Sequence, residues 1–270
     1  MDLLEIFEQK LKTHNQPIET VEENWDKRAR TFYQNQVNGS TYYSEAVPRL
    51  LMEKGILHPS FSVLDICAGS GRYAIPLAKK CQSVHALDLS SEMLQFLQRE
   101  KEKNSLDNIY TIKSAWPTTE NIGEFDVSFS AMCPAIGSVK ALEAMSNIAK
   151  RYGVICQFTS STDNVIEALE NHQLTSKLKN DPHNNRDHLQ SYFNILWELG
   201  YDPEISYLHD TFSLNMTFQE ALDSYKKRFD NIELEQLKHV LQTIQQESDN
   251  LTIEKYTTLA IVSWETEKKI

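Results

Sequence analysis

The chain has 270 residues, enough for one large domain or two ordinary ones. It carries 27 Lys and Arg against 38 Asp and Glu, a net charge of −11, which argues against a general nucleic-acid binder because phosphate neutralisation needs a basic surface. With 40% hydrophobic residues, 8 Gly and 8 Pro, the composition also excludes long disordered or collagen-like stretches.

The N-terminus, MDLLEIFEQKLKTHNQ, carries charge from Asp2 onward and lacks the apolar core of a signal peptide. No run approaches the ~20 apolar residues that span a bilayer. Together these place the protein in the cytoplasm. Leu3, Leu4, Phe7 and Leu11 share a helical face, so residues 2–13 read as an amphipathic packing or lid helix. A second helix covers 19–36, with Trp25, Ala29, Phe32 and Tyr33 as buried candidates. A third covers 43–56 and stops near Gly55.

The pattern then alternates. FSVLDICAG (61–69) is an apolar strand ending in small residues, and RYAIPLAKKC (72–81) is helical. Strand 83–90, helix 91–104, strands 108–115 and 124–133, helix 138–151 and strand 152–161 follow. Near-continuously apolar strands separated by helices indicate a parallel sheet covered on both faces. Beyond residue 161, helices are expected at 163–180 and 186–199, the second capped at Gly200. A strand is expected at 203–215, one long polar helical region at 217–247 and a last strand at 257–265. No shift in composition marks a linker, so the chain reads as one domain.

The sharpest feature is VLDICAGSGRYAIPLA (63–78). Gly69 and Gly71 let a backbone approach a ligand with no Cβ in the way, and a helix N-terminus beyond them offers free N–H groups. Asp88 closes the second strand, where a carboxylate can accept hydrogen bonds from both ribose hydroxyls. The glycines also fit the dinucleotide pattern G-x-G-x-x-A. Asp65, ahead of the glycines, would repel a pyrophosphate but suits a ligand carrying a sulfonium and an ammonium. Its plainer role is a helix cap or turn residue.

Residues 61–161 resemble a class I S-adenosylmethionine-dependent methyltransferase of the small-molecule type. The D-x-x-x-G-x-G motif is present as Asp65-Ile66-Cys67-Ala68-Gly69-Ser70-Gly71, with Cys67 where the family usually has its first glycine. Asp88-Leu89-Ser90-Ser91-Glu92-Met93-Leu94 is similar to the family's D-x-S-x-x-M-L, and FDVSFSAMCPAI (125–136), which includes Met132, to the fourth-strand motif facing the methyl group. WDKRARTFY (25–33) is similar to the helix that closes over the cofactor. The resemblance implies an α/β, Rossmann-like, seven-stranded mostly parallel sheet flanked by helices, with helical lid additions and the last strand antiparallel. It divides the chain into an N-terminal helical lid (1–56), a cofactor-binding core (57–161), a helical cap (162–200) and C-terminal strands with a helical insertion (201–270).

The resemblance further implies that Asp65 and Gly69 hold the amino-acid end of S-adenosylmethionine, with Cys67, Ala68 and Gly71 shaping the turn. Asp88 would hold the ribose, Leu89 and Met93 would pack on the adenine, and Trp25 and Tyr33 would close the site. The acid that often follows the third strand is replaced by Ser114-Ala115-Trp116, so adenine recognition would rest on Ser114, backbone groups or Trp116. The implied activity is methyl transfer to a small-molecule acceptor by a monomer or homodimer, with no nucleic-acid or membrane partner. Two alternatives stay open. An NAD(P)-dependent oxidoreductase shares the glycines and Asp88, but the chain has no Y-x-x-x-K pair. A non-catalytic S-adenosylmethionine-binding protein would need the same site.

The residues do not single out a catalytic base or a metal site. Cys67, Cys81, Cys133 and Cys156 show no C-x-x-C spacing and read as four reduced thiols, with Cys133 a weaker candidate nucleophile. DPHNNRDH (181–188) holds His183, Arg186 and His188 near Tyr192, but lacks ligand spacing and reads as a solvated loop. His172, His209, Tyr42 and Tyr43 are further pocket candidates whose ordinary role is surface or core.

Overall fold

The structure, a computed structural model, describes residues 2–11, 16–118, 120–174, 184–229, 231–245 and 250–267. Three helices come first: α1 (Leu3–Leu11), α2 (Ile18–Asn38) and α3 (Tyr42–Glu53). The alternating segment is β1 (Ser62–Ile66), α4 (Ala74–Ala78), β2 (Ser83–Asp88), α5 (Ser91–Lys103), β3 (Ile109–Lys113), β4 (Phe125–Ala131), α6 (Val139–Ile148) and β5 (Ala149–Asp163). Then come α7 (Asn164–Asn171), α8 (Arg186–Glu198), β6 (Glu204–Thr217), α9 (Phe218–Arg228), α10 (Leu234–Ile244) and β7 (Asn250–Glu265).

The seven strands form one sheet in the order β3-β2-β1-β4-β5-β7-β6. The β1–β2, β1–β4, β2–β3 and β4–β5 pairs are parallel. β7 runs against both neighbours. Moving from Arg151 to Thr159 along β5 takes the β7 partner from Thr266 back to Thr258, and moving from Asp210 to Asn215 along β6 takes it from Thr257 back to Thr252. In β1, Val63 to Ile66 are all buried, as a strand covered on both faces requires. β1 lies between β2 and β4, so the strand order reverses there. In open α/β sheets, ligands bind in the crevice beyond the strand C-termini at such a switch point.

The chain forms two compact units. The first comprises Met1–Gln157, Asp187–Ser206 and Ala260–Ile270; the second comprises Phe158–Arg186 and Tyr207–Leu259. β5, β6 and β7 each contribute to both. The first unit's core includes Leu64, Ile66, Leu87, Phe125, Ile155, Ile195 and Val262, and the second's includes Val165, Leu169, Tyr225, Leu237 and Leu251. Side-chain caps mark the starts of α5, α6, α7 and α9. The Ser90 hydroxyl caps α5 by accepting the Met93 N–H, and Thr217 and Glu220 form a reciprocal capping box on α9.

Several boundaries differ from the sequence expectation. The helix expected at 72–81 shrinks to the five residues of α4, because Gly69 and Gly71 hold positive φ and the turn runs on to Tyr73. A five-residue helix has little dipole, so ligand binding there must rest on turn N–H groups and side chains. The region 217–247 is two helices, interrupted after Arg228, not one. β5 begins at Ala149 and β7 at Asn250, both earlier than expected, since each pairs along its added length. Of the helix expected at 163–180, α7 ends at Asn171, and residues 175–183 lie outside the described residues.

Candidate active site

The glycine turn sits between β1 and α4, at the C-terminal end of the central strand. Gly69 has φ +55° and Gly71 φ +89°, backbone that L side chains rarely adopt. A Cβ on Gly71 would stand 3.1 Å from Leu97 Cγ and 3.4 Å from Ile75 Cγ1, so this glycine lets the turn settle onto α5. A Cβ on Gly69 would meet only the Phe32 ring, at 3.6 Å. The Ala68 N–H donates to Leu87 O at 3.0 Å and the Gly71 N–H to Ala68 O at 3.0 Å, which anchors the turn to β2.

Asp88 ties the two motifs together. Its Oδ2 accepts the Gly69 N–H at 2.8 Å and its Oδ1 accepts the Ser90 N–H at 2.8 Å. Burial raises its pKa; the N–H groups of Ser90, Gly69 and Leu89 pull the other way, and the Asp26 charge adds to the rise. Asp65 is 2% exposed, and its Oδ2 has no hydrogen-bond partner among the described residues. Burial, and secondarily the Asp88 charge, hold its pKa well above the carboxylate range.

α2 is fastened over this edge by Tyr33 and by Asp26 and Gln36, two side chains that the sequence reading did not single out. Asp26 Oδ1 accepts the Ser90 hydroxyl at 2.5 Å and the Glu92 N–H at 3.2 Å. Gln36 Oε1 accepts the Ser70 hydroxyl at 2.7 Å, and Arg72 donates to Ser40 O at 2.9 Å. Tyr33 stacks on Phe96 with centroids 4.5 Å apart and donates its hydroxyl to Glu100 at 2.6 Å. Trp25 meets Phe32 edge to face at 6.2 Å. Asp26 and Gln36 are two polar residues in a helix full of them, so no local pattern distinguishes them.

The other candidates are spread around the same edge. Leu89 is half-buried, whereas Met93 is buried in the core at 2% exposure. The Ser114 N–H donates to Asp88 O at 3.1 Å, and Ala115 beside it is half-buried. Trp116 is buried and its Nε1–H donates to Ala141 O at 3.2 Å, so its polar edge is committed to α6. Met132 is half-buried with φ +49° at the end of β4. One expectation is overturned: Cys67 and Cys133 are not two separate thiols but are joined as a disulfide. Their residue spacing hides this, because the parallel pairing of β1 with β4 brings them together. Cys81 and Cys156 remain free and buried.

The remaining pocket candidates among the described residues have other partners. Tyr42 and Tyr43 contact each other edge to face at 5.2 Å. His188 lies against Tyr192, and burial lowers its pKa. His172 pairs with His239, and His209 with Thr258. His183 lies outside the described residues. Among the described residues no three His, Cys, Asp or Glu side chains come together as metal ligands.

Residues 63–153, about a third of the chain, match the family model for a methyltransferase domain. Over 92 residues it is 34% identical to an uncharacterized protein of Haemophilus influenzae; that stretch is 34% of this chain and 33% of the relative, so the match spans about a third of the relative's length. Two solved structures share the methyltransferase fold at low identity. Magnesium protoporphyrin IX methyltransferase from Synechocystis PCC 6803, with bound SAH, is 13% identical, with 88% of this chain and 98% of that one covered and a TM-score of 0.53. Precorrin-6y C5,15-methyltransferase from Geobacter metallireducens GS-15 is 14% identical, with 81% and 88% covered and a TM-score of 0.51. The matched segment runs from β1 into the first third of β5 and includes the glycine turn, Asp88 and the segment after β4. No helix of the described residues is long and apolar enough to cross a membrane.

Proposed function

We propose that the chain transfers a methyl group from S-adenosylmethionine to a small-molecule acceptor. The observation that carries this reading is the hydrogen bond from the Gly69 N–H to Asp88 Oδ2, within a segment that matches a methyltransferase domain. It brings a glycine turn and a strand-end acid together at one strand edge. The residues suit this cofactor: the Asp65 carboxyl, whose Oδ2 has no partner among the described residues, can ionise against an ammonium, and a Cβ on Gly69 would meet only Phe32 among the described residues.

When bound, S-adenosylmethionine would supply a methyl group activated on a sulfonium. Asp88 would use its remaining lone pairs to hold the ribose hydroxyls while its N–H contacts keep the turn in place. Asp65 would pair with the amino group, and Leu89 and the Ser114–Ala115 backbone would border the base. α2, pinned through Asp26, Tyr33 and Gln36, would exclude water from a reaction that disperses charge, with Trp25 and Phe32 supplying aromatic faces for a cation. Residues 1–56 would then act as a lid, 57–161 as the cofactor-binding core, 162–200 as a cap and 201–270 as the strands completing the sheet with their helical insertion. The same proposal takes the protein to work in the cytoplasm, as a monomer or homodimer, without nucleic acid or membrane.

Calorimetry with S-adenosylhomocysteine and with NAD tests the reading. Binding of S-adenosylhomocysteine with no response to NAD is expected. The reverse result would replace the methyltransferase reading with an oxidoreductase.

A further inference from the structure

The disulfide lies where a ligand would enter. β1 and β4 pair in parallel with Ile66 opposite Ser130, and the Ser130 hydroxyl donates to Ile66 O at 3.2 Å. This register forces the next residues of both strands to leave the sheet side by side at the switch point. Cys67 is the first residue beyond β1 and Cys133 the second beyond β4; their Cα atoms are 5.8 Å apart, inside the ordinary disulfide range. Cys67 and Met132 both hold positive φ, so each chain turns sharply at the bridge. The bridge thus straps the glycine turn to the segment after β4, the two loops that border the crevice. With the strap closed, Asp65 is 2% exposed and its Oδ2 unpaired.

We propose that Cys67 and Cys133 are a reversible thiol–disulfide switch that sets cofactor affinity, with the dithiol as the form that binds tightly; this rests on the methyltransferase reading. The oxidant is a low-molecular-weight disulfide. The Cys67 thiolate, half-buried and the more accessible of the two, attacks one of its sulfurs, breaks the S–S bond and releases one small thiol. The Cys133 thiolate then attacks Cys67 Sγ, forms the protein disulfide and releases the second thiol. Two protein thiols are oxidised, one small disulfide is reduced to two thiols, and the two protons leave with them. The remaining cysteines do not compete. Cys81 is 8% exposed with its thiol pushed up to about 12, and Cys156 is 0% exposed with its thiol raised by burial. Reduction frees the turn from the β4 loop, so the loops can part and a ligand ammonium can reach Asp65.

The test is calorimetry with S-adenosylhomocysteine on the full-length protein, equilibrated in reduced or oxidised glutathione, with free thiols counted in each state. Four thiols reduced and two oxidised are expected, with peptide mapping placing the bridge at Cys67–Cys133. Affinity is expected to fall about ten-fold on oxidation, within the usual range of a coupling between sites, and to return with dithiothreitol. Cys67→Ser, or Cys67→Gly should the serine variant fail to fold at φ +59°, removes the attacking thiol and is expected to show one and the same affinity, whatever its value, in both buffers. Equal affinity in both states of the native chain, tighter binding when oxidised, or four thiols persisting in oxidised glutathione would each overturn the switch while leaving the methyltransferase reading intact. Binding by neither state would overturn the methyltransferase reading and the coupling with it, although the thiol count would still report whether the bridge forms.

Discussion

Asp65 and Asp88, at the ends of paired strands β1 and β2, repel one another: the Asp88 charge adds to burial in raising the Asp65 pKa. The consequence for stability has a definite sign. A carboxyl whose folded pKa lies above its unfolded value stabilises the fold fully below the unfolded value, near 4, and loses that contribution as pH rises through the folded one. Asp65→Asn is therefore expected to melt above the native protein at neutral pH, with the gap closing below about pH 4. Melting curves from acid to neutral pH check this. A gap that widens in acid would show that the Asp65 carboxylate is stabilised in the fold.

The same residue makes cofactor binding a proton-linked event. A ligand ammonium beside Asp65 favours its charged form, so the carboxyl should shed a proton on binding S-adenosylhomocysteine. Binding enthalpies measured in buffers of different ionisation enthalpy should show that release, and Asp65→Asn should abolish it.

Asp88→Ala removes both the proposed ribose ligand and the acceptor of the Gly69 and Ser90 N–H groups. The expected loss in S-adenosylhomocysteine affinity is about 1.5–3 kcal/mol, the range for hydrogen bonds to a charged group, accompanied by a lower melting temperature. Unchanged affinity together with lower stability would leave Asp88 as a holder of the turn alone.

Gly71→Ala must accept both φ +89° and a Cβ 3.1 Å from Leu97. A stability loss of about 1–3 kcal/mol is expected from overpacking, read by denaturant unfolding. Gly153→Ala should cost at least as much. Its Cβ would overlap the Trp264 ring, which is 2% exposed and anchored by its Nε1–H to the Ser146 hydroxyl at 3.0 Å.

Asp26→Ala tests how α2 is held. It removes the acceptor of the Ser90 hydroxyl and Glu92 N–H, while the Ser90 cap on Met93 persists. The expected cost is about 1 kcal/mol, with faster hydrogen exchange across α2. In the native protein, S-adenosylhomocysteine should slow exchange over residues 18–38. Unaltered protection would describe a fixed packing helix and not a lid.

Sequence alone determined the elements whose signals are local. The apolar run before Gly69, the Ser90 cap and the acid closing β2 each declare themselves within a few residues, because steric freedom, capping and strand burial act over that distance. Their meeting in one place also follows from the alternating pattern, since a strand–turn–helix unit beside a second parallel strand has few ways to fold. What tertiary structure decided is long-range. Asp26 reaches Ser90 across 64 positions, and Cys67 reaches Cys133 across 66. Neither pair has a spacing that marks it, because strand register and helix docking make those contacts. The shortness of α4 and the early start of β7 have the same origin. Turn geometry limits α4, and pairing with β5 and β6 extends β7 beyond its apolar run.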